Sequence, residues 1–174
     1  MRRAFWLCLG VLAGGSACAV EPSARIDRQL YSAGLEARAA VEKIRRSLPT
    51  AGRGFGEGVA AVEAVTRRYD ALEQDPRASD GQRLSAILGE ARAWDDASHA
   101  ILGARLVEGD EEIAGDMLRE KAFPATIAAQ NAYQRALAFA CEHHLEDRAA
   151  MPEILDGLQR TLGSAPASDA PCPR

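Results

Sequence analysis

SARIDRQLYSAGLEARAAVEKIRRSL, residues 23–48, is the stretch whose pattern decides the fold. Ile26, Leu30, Ala33, Ala37, Val41, Ile44 and Leu48 recur at spacings of three and four, which puts them on one face of an α-helix and most of the charges on the other. Ser23 suits the N-cap, because its hydroxyl can accept an N–H of the first turn. Pro49 stops the helix: it has no N–H and restricts the residue before it. The small Ala33 and Ala37 in mid-stripe predict that a neighbouring helix comes close there.

Toward the C-terminus the same period returns. Residues 50–58 carry Gly52, Gly54, Gly56 and Gly58 at alternate positions and read as a flexible link that Phe55 anchors. Its backbone amides could cradle an anion. However, phosphate-binding loops follow a strand, and the P-loop also ends in Gly-Lys-Ser/Thr, whereas this run follows a helix and has no lysine. A second helix carries Val59, Val62, Val65, Tyr69 and Leu72 as far as Asp75-Pro76. Ser79 and Gln82 have capping-box spacing and open a third helix, to about Glu108, that buries Leu84, Ile87, Leu88, Ala91, Trp94 and Ile101. Gly109-Asp110 makes a corner, and Glu111 and Glu112 suit the positive end of the next helix, whose apolar side is Ile113, Met117 and Leu118.

Pro124 predicts a kink or a short break before a long segment with Ile127, Tyr133, Leu137, Ala140, Cys141, His144 and Leu145. Pro152 fits the first position of a last helix with the stripe Met151, Ile154, Leu155, Leu158 and Leu162, and Gly163 lies beyond its end. Valine and isoleucine are sparse while alanine, leucine, arginine and glutamate abound, so local preference also favours helix. The expectation is an all-α chain. An antiparallel bundle of four to six helices forms one domain over residues 23–163, followed by a Pro/Ala/Ser-rich tail at 164–174.

Toward the N-terminus the pattern changes character. Arg2 and Arg3 precede an uncharged apolar run from Ala4 to about Gly14, followed by small residues, which is the form of a cleaved export leader over residues 1–19. The run is about 11 residues long, whereas a membrane-spanning helix needs roughly 20. Two processing routes fit. Ala17-Cys18-Ala19 is an A-x-A site cut after Ala19, while Gly15-Ser16-Ala17-Cys18 resembles the lipobox of bacterial lipoproteins, in which Cys18 becomes the lipidated first residue. Gly15 departs from that pattern, where a branched aliphatic residue is usual. Ala19 is not the aspartate that retains lipoproteins at the inner membrane, so the resemblance implies an outer-membrane anchor facing the periplasm.

Removing two leader arginines leaves 19 basic residues against 25 acidic, a balance of −6 that argues against nucleic acid as a partner. Cys8 and Cys18 belong to the leader region, so Cys141 and Cys172 remain as an even pair, which in an oxidising compartment reads as a disulfide; two free thiols are the alternative. Geometry supports the pairing. If the last two helices turn near Ala150, Cys141 and Leu162 lie level, and ten extended residues, about 33 Å of reach, join Leu162 to Cys172.

Few side chains are arranged for chemistry. Asp96 and His99, three apart on the third helix, could face one metal, with Asp95 as a substitute and His144 as a further ligand. Against this stand the absence of any Glu-x-x-His motif for a di-iron bundle and of Cys-x-x-Cys-His for c-type haem, and Met117 with His144 is an unsupported b-haem pair. Glu108, Asp110, Glu111 and Glu112 read as a solvated helix start. Neither Gly-x-Ser-x-Gly nor His-Glu-x-x-His occurs, so no catalytic residue, metal or cofactor is expected. Arg45-Arg46 and Arg67-Arg68 read as solvated groups paired with Glu42, Glu63 and Asp70. The expectation is a periplasmic or outer-membrane-anchored protein that is not an enzyme and binds another envelope protein as adaptor, assembly factor or inhibitor. It touches the membrane only through a lipid anchor on Cys18, and its alanine stripes would also suit a homodimer. The competing class is a metal- or haem-binding bundle.

Overall fold

The structure, a computed structural model, describes residues 21–47, 53–103, 118–145, 149–162 and Cys172. Among these residues there are five α-helices and no strand: α1 (Pro22–Ser47), α2 (Arg53–Glu73), α3 (Asp80–Gly103), α4 (Phe123–Glu142) and α5 (Ala150–Leu162). A π-helical turn, Leu118–Ala122, leads into α4. The all-α bundle and its disulfide-held C-terminal segment are therefore as the pattern requires. None of the described helices is long and apolar enough to cross a membrane.

α1 buries Ile26, Ala33, Ala37, Ala40, Val41 and Ile44, the face marked by its periodicity. It begins one residue before Ser23, at Pro22, whose missing N–H costs nothing in a first turn. The glycine run departs from expectation. α2 starts at Arg53, so Gly54, Gly56 and Gly58 are helical and not a link. Packing explains the difference. Phe55 is buried to 7% exposure, and a Cβ on Gly58 would come within 2.7 Å of Ile44 Cγ1 and 3.0 Å of the Ile44 backbone nitrogen. Glycine in a helix costs about 1 kcal/mol; burying a phenylalanine returns about 1.5–3 kcal/mol. The tight approach between α1 and α2 is thus at Ala40 and Ile44, not only at Ala33 and Ala37. Lys43–Glu57 (2.5 Å) and Arg68–Glu36 ion pairs tie the two helices on the outside.

The capping box at α3 is formed in both directions: the Gln82 N–H donates to Ser79 Oγ (3.3 Å) and the Ser79 N–H donates to Gln82 Oε1 (3.1 Å). Gln82 Nε2 also donates to Ser23 O (3.0 Å) and Asp27 Oδ1 (2.7 Å), which brings the first turns of α1 and α3 together and makes α2 antiparallel to both. α3 buries residues on two sides, with the polar Gln82, Asp95 and Ser98 among them, as a helix enclosed by others does. Ala86, Ala93, Ala97, Ala100 and Ile101 join the core with α1 and α2, while Leu84, Ile87, Leu88 and Ala91 face α4 and α5.

α4 runs antiparallel to α3, as Ser98–Thr126, Glu90–Arg135 and Asp80–His143 pairings show in sequence. At Pro124 the expected irregularity is the π turn, which ends at Ala122 and leaves the proline in the first turn of α4. The core stripe of α4 is Ala125, Ala129, Ala132, Ala136 and Ala140 with Tyr133, whereas Ile127, expected inside, is 56% exposed. Ala129, Ala136 and Ala140 are wholly buried on that face. The stripe is consequently used within the bundle. His144, at φ 52°, turns the chain out of α4 so that the Leu145 N–H donates to Ala140 O (2.7 Å). α5 then returns along α4, burying Met151, Ile154 and Leu158; its Pro152 is the third helical residue and not the first, and Leu162 is exposed.

Candidate functional site

The most concentrated polar arrangement lies where α3, α4 and α5 meet. Asp95 projects from α3 with its side chain 8% exposed. Arg160 of α5 donates to its Oδ2 through Nη2 (2.8 Å) and Nε (3.2 Å), and the Tyr133 hydroxyl of α4 donates to the same oxygen (3.4 Å). His99, one turn along α3, has Nδ1 3.0 Å from Asp95 Oδ1 and 2.9 Å from Asp95 O. Arg160 also reaches Tyr133 Oη (3.3 Å) and Asp156. Burial, then the Asp95 charge, pushes the Tyr133 phenol up to about 12, so it stays protonated and donating.

The helices are shaped for this. Gly157 of α5 sits over the Tyr133 ring, where an added Cβ would be 2.3 Å from Cζ, and Gly89 of α3 makes the same room for Tyr69, 2.3 Å from its Cε1. A glycine facing a tyrosine therefore recurs on both sides of α3. Chemically, the carboxylate is engaged by an arginine, a phenol and an imidazole, which makes it a latch between three helices. An imidazole oriented by a carboxylate is also half of a general-base pair, but the hydroxyl nearest to His99 in sequence, Ser98, is bonded to Thr126 Oγ1 (2.7 Å).

No family model, curated protein or solved structure matches this chain.

A second polar cluster joins α2, α3 and α4. Ligand oxygens of Asp70, Glu73 and Glu90 lie within 4.8 Å of one another. The Arg135 guanidinium stands among them, bonded to Glu90, 3.5 Å from Glu73 and 3.9 Å from Asp70. Burial raises the Glu90 pKa against the opposing pull of Arg135. The three carboxylates are the described groups best placed to hold a cation, and Arg135 already supplies the charge.

The residues singled out for a metal are not brought together. Asp96 is exposed, and the His99 imidazole turns to Asp95. The 143–144 corner lies at the opposite end of α3, since His143 Nδ1 is 3.2 Å from Asp80 Oδ2. From Asp80 to His99 is 19 residues, about 28 Å of helix, so His144 cannot share an ion with His99. Cys141 and Cys172 do form the expected disulfide, with Cα atoms 5.4 Å apart, and Cys172 packs on the core between α3, α4 and α5. Beside it the Phe139 and His143 rings stack at 4.1 Å. Cys18, Glu108, Asp110, Glu111, Glu112 and Met117 lie outside the described residues. Of the arginine pairs, Arg46 bonds Glu42 (2.8 Å) as expected, whereas Arg68 takes Glu36 across the α1–α2 seam.

Sequence reasoning missed Arg160 and Tyr133 as partners of Asp95, because they are 65 and 38 residues away from it. The available signals were local: Asp95/His99 and Asp156/Arg160 are both i,i+4 pairs.

Proposed function

We propose that the protein is a non-catalytic helical module, exported to the periplasm and either free there or anchored through Cys18, that binds another envelope protein by the outer face of α4. One observation carries this reading. Phe123 and Ile127, one turn apart, are each 56% exposed, and no charged residue occurs from Phe123 to Gln134. In a chain that is 26% charged, a stretch of helix presenting Phe123, Ile127, Asn131 and Gln134 to solvent without a charge is the composition of an interface core. The alanines on its other side are consumed by α3, so this outer face is the part left for a partner. The Asp95 and Arg135 networks serve the module by holding α4 in a fixed place, which lowers the ordering cost of binding.

The test is affinity capture from envelope extract with the native chain and with a Phe123→Ser/Ile127→Ser variant, both checked for helicity and disulfide. A partner retained by the native chain and lost by the variant is expected. No retention above background, or equal retention by both, would overturn the reading; a native mass of two chains that the variant reduces to one would replace the envelope partner by a second copy.

A further inference from the structure

A different surface, on α1, is basic where the rest of the chain is acidic. α1 holds six basic residues, Arg25, Arg28, Arg38, Lys43, Arg45 and Arg46, against three acids, Asp27, Glu36 and Glu42. That is +3 for the helix in a mature chain of −6, which leaves −9 for everything else. The acids of α1 are all engaged: Asp27 by Gln82, Glu36 by Arg68 and Ser32, Glu42 by Arg46. Arg25, Arg28, Arg38 and Arg45 are exposed, and among the described residues none has a carboxylate within ion-pairing distance; the Arg28 Nε donates back to Ala24 O (3.2 Å). Between Arg28 and Arg38, on the face opposite the core, Tyr31 is 71% exposed and Leu35 49%. Positions 24, 28, 31, 35 and 38 follow one helical line, so two apolar side chains lie in a row with guanidinium groups at both ends.

We propose that this face of α1 rests on an anionic lipid surface, with Tyr31 and Leu35 entering the headgroup layer and Arg28 and Arg38 pairing with phosphates. Arginine matches phosphate oxygens bidentately while its stem stays apolar, and tyrosine settles at a membrane interface for the same amphipathic reason. The acidic remainder is repelled by the same surface, so only the orientation with α1 downward is favourable. An acidic protein would satisfy the charges but gives no reason for a tyrosine and a leucine held in line between them. The proposal rests in part on the envelope reading above. If Cys18 is lipidated, only Ala19, Val20 and Glu21 separate it from Pro22, which keeps the start of α1 within about 14 Å of the anchor. A single acyl chain holds a protein weakly, and a basic patch is the usual second attachment.

The test uses the disulfide-bonded protein purified after expression with Cys18→Ser, so that no acyl chain can be attached; Ala17 and Ala19 still provide a cleavage site, after Ala19. Flotation with phosphatidylcholine vesicles and with phosphatidylglycerol-containing vesicles should show binding only to the latter, weakened by salt. Arg28→Glu/Arg38→Glu should reduce that binding at least about tenfold, and Tyr31→Ser/Leu35→Ser should reduce it without changing its salt dependence. Lys121→Glu/Arg77→Glu, the same change in charge elsewhere, is the control. Absence of binding to phosphatidylglycerol vesicles, or equal loss in the control, overturns the proposal. So does an α1 reversal that abolishes capture of a protein while vesicle binding never appears. Fractionation of the unaltered protein reports separately on the envelope reading: a cytosolic protein that still binds vesicles through α1 refutes that reading alone, and a periplasmic one that does not bind them refutes this proposal alone.

Discussion

Gly157 and Gly56 are both helical glycines, yet alanine should act on them in opposite directions. An alanine Cβ at Gly157 meets the wholly buried Tyr133 ring at 2.3 Å, whereas at Gly56 nothing lies within 4 Å. Gly157→Ala should therefore cost about 1–3 kcal/mol through overpacking, while Gly56→Ala should gain about 0.5–1 kcal/mol from helix propensity. Urea denaturation of the two variants beside the native chain reads both signs at once. Equal effects would mean that the Tyr133 ring moves aside freely. Tyr133 itself carries a pH signature. Its folded pKa of about 12 lies above the ordinary 10, so the contribution of the protonated phenol is complete below pH 10 and is lost as pH rises through about 12. Tyr133→Phe should remove the latest phenolate step from an absorbance titration, and should cost about 1 kcal/mol at neutral pH for the bond to Asp95 and Arg160. Glu90 has the same sign of shift for a different reason. Burial raises its pKa above 4.5, so its contribution is largest below that value and declines as pH rises through the folded pKa. Glu90→Gln should then gain on the native chain as pH rises toward neutrality and not as it falls. A constant difference between their unfolding midpoints from acid to neutral pH would refute this account. None of Gly157, Tyr133 and Glu90 announces its role in sequence. A glycine facing a tyrosine, or a glutamate pressed against an arginine on another helix, is created by the packing.

At the scale of elements, what was legible and what was not divide along a physical line. Helices whose apolar residues are large and periodic, such as α1 with Ile26, Val41 and Ile44 or α5 with Ile154 and Leu158, could be read together with the faces they bury. The Ser79/Gln82 box could be read because its chemistry is local. α2 could be read from Val62 onward, where Val65, Tyr69 and Leu72 are buried as their spacing requires, but not in its glycine-rich first turns. α4 was harder: its buried stripe is mostly alanine, so Ile127 is found outside and the pattern of side-chain size misleads about the buried face. The long-range latch at Asp95 shares the difficulty, since no local spacing connects α3 to Arg160. The disulfide was legible by elimination and reach. Closing a loop with 31 residues of separation should stabilise the chain by about 3–4 kcal/mol. A Cys141→Ala/Cys172→Ala variant should unfold at correspondingly lower urea with little loss of helix signal before the transition. An unchanged midpoint would mean that the clip constrains only the tail.

For the whole molecule, α3 is the organising element. It has one apolar side for α1 and α2 and another for α4 and α5, so the chain amounts to two helical hairpins on opposite sides of a shared wall. The two proposed surfaces are then on different hairpins, a basic α1 face for lipid and an uncharged α4 face for protein, and binding at one leaves the other open. This architecture predicts an order of opening. α5 is the shortest of the five helices and packs in only one of the two clusters, where Arg92–Glu153, Arg160–Asp95 and the neighbouring disulfide hold it. Native-state hydrogen exchange should find the α3 amides protected to the global unfolding free energy, because exposing them requires both hairpins to leave. The α5 amides should exchange through a smaller opening in which that helix alone detaches. Reducing the disulfide should enlarge the α5 opening by more than it lowers protection in α1 and α2. If protection instead fell equally in all helices, α3 would be transmitting every local loss to the whole, and the two hairpins would be one cooperative unit, so that a partner at the proposed α4 face would also stiffen the proposed lipid-binding face of α1.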